Sequence, residues 1–291
     1  MNGYNHGSAA EIIRKIHRNM IGFALDYGDP MSDTRSYIDG LAANGRYHFT
    51  PEEARAALGG SDAAVRLSLG RLARQGLVAH PAHGFYLVIP PEYRRLGCLP
   101  ADQFIPALME QLGLGYYAGL LSAAQYHGAA HHRPQEFQVM TESKRRELVC
   151  GAVRVSFIVR KRAAEVPIQT LNTPRGVIQV STVEATAVDL IGYPHHVGGL
   201  DNAATVIAEL AEQIDPERLV AAARTAPVPW AQRLGFLLEL AGAGEKAVAL
   251  KHHVRETARD NTPLVPALSC DGAVRDAGWK LDVNADVEIE A

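Results

Sequence analysis

Apolar residues recur at spacings of three and four over residues 8–26, where Ile12, Ile13, Ile16, Met20 and Phe23 lay a stripe along one side of a predicted helix. Gly28, Asp29 and Pro30 stop it. Ser32 or Asp33 is placed to cap a second helix carrying Tyr37, Ile38 and Leu41, which Asn44 and Gly45 end. Tyr47, His48 and Phe49 read as one short edge strand. Thr50-Pro51-Glu52-Glu53 then opens another helix. Thr50 can accept from the free amides of the first turn, Pro51 suits the first helical position, and Glu53 stands where a capping box puts its carboxylate. The helix runs over Ala54, Ala57 and Leu58 into Gly59-Gly60. Ser61 caps the next one, whose Val65, Leu69 and Leu72 fall at i, i+4 and i+7. Gln75-Gly76 ends it, and residues 77–79 and 85–88 read as two strands around His80, Pro81, Ala82, His83 and Gly84. Helix, glycine turn, helix, hairpin is the order of a winged helix-turn-helix.

Pro90 and Pro91, which extend neither a strand ladder nor a helix interior, mark a boundary. The expected organisation is residues 1–90, an N-terminal helix plus the winged unit, and residues 91–291, a larger α+β domain. In the second part, helices are expected near 101–112 and over 116–127, the latter rich in small residues (Gly119, Ala123, Ala124). Strands are expected over 136–141, 153–161, 166–171 and 177–180. Ser181-Thr182-Val183-Glu184 resembles a capping box opening a helix that stops at Gly192-Tyr193-Pro194. Residues 199–250 read as three or four helical pieces broken at Asp215-Pro216 and Pro227-Val228-Pro229, and 279–284 as a closing strand. No internal repeat or low-complexity segment interrupts the pattern.

Composition narrows the class. Apolar residues are 47% and charged residues 21% of 291, enough for a buried core in each of two domains and too apolar for wholesale disorder. Cys98, Cys150 and Cys270 are scattered and odd in number, which suits a reducing cytosol and neither a disulfide framework nor a CxxC metal site. Glu11, Arg14, Lys15, His17 and Arg18 interrupt any leader-like apolar run near the start, and no stretch of about 18 apolar residues suggests a membrane span. The expectation is a cytoplasmic chain with no membrane partner. Its formal net charge of -3 leaves partners to be decided by local distribution.

Locally, residues 61–75 are suited to nucleic acid. Their outward set is read as Ser61, Ala63, Arg66, Ser68, Arg71 and Arg74, with no acid after Asp62. A recognition helix puts its N-terminal and outward side chains against base edges while basic groups grip phosphates, and an arginine can fork onto guanine O6 and N7. Arg66 is the candidate for base readout, Arg71 and Arg74 for phosphates, Thr50 for the flanking helix start, and His83 for a minor groove entered by the wing tip. The plainer reading is a solvated basic face, with Arg71 and Arg74 favoured near a helix C-terminus by the dipole alone. Winged units also serve as protein-docking modules.

A second basic run gathers Lys144, Arg145, Arg146, Arg154, Arg160, Lys161 and Arg162 against the single acid Glu147. It can be a further phosphate-contacting surface, a docking face for an acidic partner, or protection of a sheet edge. Catalytic and metal chemistry find little support. His127 and His131 are separated by Gly128 and lack a HExxH glutamate, and the neighbouring pairs His195-His196 and His252-His253 point apart on any regular element. Asp276, Lys280 and Asp282 are the nearest approach to a magnesium nuclease and match no defined spacing. No P-loop, GxGxxG or GxSxG occurs. The expectation is no cofactor, no metal and no catalysis.

The stretch YYAGLLSAAQYHGAAHHRPQEFQV, from Tyr116, resembles the central motif of AbiEi-type antitoxins. Two further blocks, VSTVEATAVDLIGYPHHVGGLDNAATVIAEL at 180–210 and RLGFLLELAG at 233–242, resemble the same family. The resemblance covers nearly the whole chain. It implies an antitoxin of a type IV toxin-antitoxin operon, whose winged domain binds inverted repeats in its own promoter and represses it. It further implies a C-terminal domain that counteracts a nucleotidyltransferase-like toxin. Oligomeric state stays open, although inverted repeats usually imply two copies on the DNA. The alternatives are a regulator whose second domain senses a ligand, and a DNA-processing enzyme.

Overall fold

The structure, a computed structural model, describes residues 30–129 and 135–290. The helix expected over 8–26 lies outside the described residues. Helix α1 (Pro30–Ala43) starts ahead of the Ser32 or Asp33 expected to cap it. Strand β1 (His48–Phe49), α2 (Pro51–Leu58), α3 (Asp62–Arg74), β2 (Val78–Ala82) and β3 (Phe85–Val88) follow, and the strands form an antiparallel sheet in the order β1-β3-β2. This is a winged helix. Strand β2 runs further than its sequence suggests, to Ala82, because a bulge between Ala79 and Ala82 absorbs Pro81, which cannot donate to the ladder. Ile38, Phe49, Val65, Leu69, Leu72, Leu77 and Val88 form its own core.

A six-stranded mixed sheet forms the centre of the molecule. Its strands are β4 (Tyr117–Ala118), β5 (Phe137–Thr141), β6 (Leu148–Cys150), β7 (Val153–Val159), β8 (Ile168–Thr173) and β9 (Gly176–Ser181), ordered β6-β7-β5-β4-β9-β8. Successive residues on one strand serve opposite faces, since side chains alternate across a sheet. Val139 and Val155 face a core with Cys98, Leu99, Phe104, Ile105, Leu108 and the wing residues Phe85 and Leu87. Met140 and Ile158 face the other core, with the helical bundle. Apolar packing therefore continues from the wing across Pro90-Pro91 into the sheet.

The bundle comprises α5 (Leu120–Tyr126), α6 (Val183–Gly192), α7 (Leu200–Leu210), α8 (Pro216–Ala223), α9 (Val228–Leu240) and α10 (Val248–Thr257). Glu184 and every residue from it to Ile191 are buried, which makes α6 its central helix. A small sheet of β10 (Thr262–Pro263), β11 (Val274–Asp276) and β12 (Leu281–Val283) closes the described chain. It is tied down by Gln232, whose Nε2 donates to the Lys280 carbonyl at 2.7 Å, and by Arg233, whose Nε donates to the Pro263 carbonyl at 2.9 Å.

Several local readings change. The helix expected at 101–112 divides into a 3-10 turn (Ala101–Gln103) and α4 (Ile105–Gln111). The helix expected from residue 116 begins only at Leu120, because Tyr117 and Ala118 are drawn into β4 by pairing with Met140 and Val139. The strand expected to reach Lys161 ends at Val159, and β6 had no local signal. The cap of α6 is Thr182, whose Oγ1 accepts from the Ala185 amide at 3.3 Å, and not Ser181. Glu184 instead accepts from the Asp215 amide at 3.2 Å.

Candidate nucleic-acid interface

Two caps and a glycine turn fix the approach of α2 to α3. Thr50 Oγ1 accepts from the Glu53 amide at 3.2 Å while Glu53 Oε2 accepts from the Thr50 amide at 2.8 Å, the expected capping box. Gly59 (φ 68°) and Gly60 (φ 80°) both adopt left-handed backbone, so the chain can reverse between the helices only with residues lacking Cβ strain. Ser61 Oγ accepts from the Ala64 amide and starts α3 as expected. Arg46 binds Glu53 at 2.5 Å, and Arg55 binds Asp62 at 2.9 Å. The second pair neutralises the one acid of α3.

The exposed side of α3 therefore carries Ser61, Ala63, Arg66, Arg71 and Arg74. Among the described residues none of the three arginines forms an ion pair; Arg74 Nε donates only to the Gly70 carbonyl at 3.3 Å. Ser68 does not belong to this face. It is 6% exposed, because at i+3 from Val65 and i-1 from Leu69 it falls on the buried stripe with Leu72.

The wing turns at His83-Gly84, with His83 exposed. Gln111 Nε2 donates to the Gly84 carbonyl at 3.0 Å, tethering the wing tip to α4. Between α2, α3 and the wing lies an open groove of about 510 Å³ whose walls include Pro51, Arg55, Arg66, His80 and His83. Burial, followed by the charge of Arg46, lowers the pKa of His48; burial, followed by His83, lowers that of His80. Both rings favour the neutral form in the fold.

The second basic run is brought together only in part. Strands β5 and β7 are parallel with Thr141 beside Val159, so the loop bearing Lys144 and Arg146 and the turn bearing Lys161 and Arg162 leave the sheet at the same end, all exposed. Arg154 is exposed and held by Glu147 at 3.3 Å; Arg162 is bound to Glu165. Arg145 is half-buried, its guanidinium 5.5 Å from the Phe157 ring centroid.

Arg160 is removed from this surface altogether. It is 2% exposed, and its Nε donates to Asp189 Oδ1 at 2.9 Å while Nη1 and Nη2 each donate to Thr225 at 3.1 Å. Tyr117 donates its hydroxyl to Asp189 Oδ2 at 2.7 Å. Burial pushes the Asp189 carboxyl up, and the guanidinium and phenol oppose that shift. Burial and the same carboxylate hold the Tyr117 phenol protonated. A guanidinium is buried only where its donors are satisfied, and this site satisfies them.

Arg175, which drew no attention as a lone cation in the β8–β9 turn, bridges the winged unit and the sheet. Its guanidinium sits 3.6 Å from the Tyr47 ring centroid, Nε donates to Gln103 at 2.7 Å, and Nη2 meets Glu92 at 2.9 Å.

The residues weighed for metal or nuclease chemistry have local structural partners. His127 Nε2 lies 2.8 Å from the Ser181 carbonyl, while His131 and His132 lie outside the described residues. Asp276 accepts from the Trp279 amide at 2.8 Å, Lys280 donates to the Ala258 carbonyl, and Asp282 accepts from Asn261 at 2.9 Å. Among the described residues no three His, Cys, Asp or Glu side chains gather where an ion would bind, and no helix is long and apolar enough to cross a membrane.

No curated protein matches the chain in sequence. A solved structure, the RV2827C protein from Mycobacterium tuberculosis, shares the fold at a TM-score of 0.62 and 19% identity, over 86% of this chain and 90% of that one. Residues 117–240 match the family described as the AbiEi antitoxin C-terminal domain. That span holds all three blocks that resemble the family, but for Tyr116 at the start of the first and the last two residues of RLGFLLELAG. Residues 117–240 are thus similar to an AbiEi antitoxin C-terminal domain, and that similarity supports an antitoxin role for the chain that carries them.

Proposed function

We propose that the protein is a DNA-binding antitoxin that represses its own operon and neutralises a cognate nucleotidyltransferase-like toxin. The observation that carries the reading is the set of three exposed arginines on α3, none of them in an ion pair among the described residues and Arg66 lining an open groove beside the wing, on a chain whose residues 117–240 match the AbiEi antitoxin C-terminal domain. In this reading α3 enters the major groove. Ser61, Ala63 and Arg66 face base edges; Arg71 and Arg74 meet phosphates; Thr50 lies at the flanking backbone; and His83 reaches the minor groove from the wing tip. Lys144, Arg145, Arg146, Arg154, Lys161 and Arg162 form a second basic surface for phosphates or an acidic partner. Residues 1–90 serve the DNA and 91–291 the toxin, with two copies meeting on an inverted repeat.

Two assays test the halves. In a gel shift at physiological salt, the DNA upstream of the protein's own gene should be retarded at concentrations that leave scrambled DNA free; equal retardation of both removes the repressor function. Co-expression with a nucleotidyltransferase-like toxin encoded beside it should restore growth, and continued arrest removes the proposed partner.

A further inference from the structure

Two of the three cysteines, far apart in sequence, meet where the winged unit joins the sheet. Cys98 is wholly buried and Cys150 is 7% exposed, within the core shared by the wing and one sheet face. Their backbones run against each other: the Ala152 amide donates to the Leu96 carbonyl at 2.8 Å, and a Cβ on Gly97 would stand 3.2 Å from Gly151 Cα. Gly97 (φ 70°) and Gly151 (φ 57°) have the left-handed backbone that lets the two segments touch. Cys98 and Cys150, each one residue from this contact, belong to the same buried core. Cys270 is exposed and lies outside this core.

We propose that Cys98 and Cys150 are an oxidation site, closing to an intramolecular disulfide when hydrogen peroxide is present and locking the connection between the winged unit and the sheet. The two sulfurs are not equivalent. Cys98 is wholly buried while Cys150 keeps 7% exposure, so Cys150 is the sulfur that peroxide reaches first, and contact between the two raises the Cys98 thiol and lowers that of Cys150. The Cys150 sulfur attacks one peroxide oxygen, the O–O bond breaks, and the departing hydroxide takes a proton to leave as water. The resulting sulfenic acid is attacked by the Cys98 sulfur. The S–S bond forms as the S–O bond breaks, and the hydroxide leaves as water with the Cys98 proton. Two thiols and one peroxide become one disulfide and two waters.

The disulfide ties the segment just after the wing to β6, whose neighbour across the core is the wing itself. A cross-link of this kind stabilises by restricting the unfolded chain. The inference is independent of the proposed DNA and toxin functions.

The test uses the full chain with Cys270→Ser, which leaves only the pair. After peroxide treatment, unfolding and alkylation with iodoacetamide, the intact mass should fall by two hydrogens with no alkyl group added, whereas untreated protein takes up two. The oxidised protein should also melt at a higher temperature than the reduced one. With Cys98→Ser added, dimedone should label Cys150. Two alkyl groups after peroxide treatment, or a disulfide found only between molecules, overturns the proposal. The parent chain carries the main readout, so the result does not depend on how well the double variant folds.

Discussion

Arg66 and Arg160 belong to basic runs of similar appearance, yet the fold treats them in opposite ways. Arg66 projects from α3 into a groove open to solvent, where Arg55 holds Asp62 and Glu52 stands on the same wall. Arg160 is enclosed between the sheet and the bundle, where Asp189, Thr225 and the Trp230 ring, 5.1 Å from its guanidinium carbon, take up its charge and its donors. An arginine whose donors are spent inside the fold has none left for a ligand. One with solvent at its head can exchange water for phosphate or base. In this molecule the distinction separates a folding residue from a candidate binding residue.

The largest effect should come from Arg160→Ala, which strands the Asp189 carboxylate in a dry site. Losing one partner of a buried pair costs about 3–5 kcal/mol, and denaturant unfolding should show a loss of that size. An unchanged midpoint would mean that water reaches Asp189. Arg66→Ala should leave the unfolding midpoint nearly where it was and cost roughly 1–3 kcal/mol of affinity for the specific site, read by anisotropy on own-promoter and scrambled DNA. Equal losses on both DNAs would assign Arg66 to a phosphate. For Arg74→Ala, affinity should fall on every sequence and the salt dependence of log K should flatten by about 0.9 for one lost phosphate contact. An unaltered slope removes Arg74 from the interface.

A smaller effect should follow pH. An unfolded histidine titrates near about 6.5, and burial holds His48 and His80 below their ordinary value. The neutral rings therefore contribute stability that is complete above the unfolded value and drains as pH falls through the lowered ones. Melting temperature should drop between neutral and mildly acidic pH, and the drop should shrink in His48→Gln. A curve of the same steepness in the variant would exclude His48 as a source.

Local signals carry the winged unit well because its determinants are close in sequence. Thr50 and Glu53 bond to each other, Gly59-Gly60 forms its own turn, and the 3.6-residue stripe of α3 is continuous. The larger domain is harder to read, since its partners are remote. Glu184 has the sequence of a capping-box acid but is claimed by the Asp215 amide, 31 residues on, and Asp189 reaches back 29 residues for Arg160. Strand β4 has two residues and exists through β5 and β9 on either side of it. Within the candidate interface, a hydroxyl at Ser68 suggested solvent, whereas its position in the helical period decides the matter. Arg175 had no signal at all: its role comes from Tyr47, Gln103 and Glu92 converging on it.

The most direct measurement is a comparison of the wild-type chain with the triple variant Arg66→Ala, Arg71→Ala, Arg74→Ala on DNA from upstream of its own gene, by anisotropy at two salt concentrations, with thermal melts of both proteins alongside. If α3 is the nucleic-acid face, the variant melts with the wild type and loses preferential, salt-sensitive binding. A variant that melts normally and still prefers its own promoter would contradict the assignment and place DNA recognition elsewhere on the molecule.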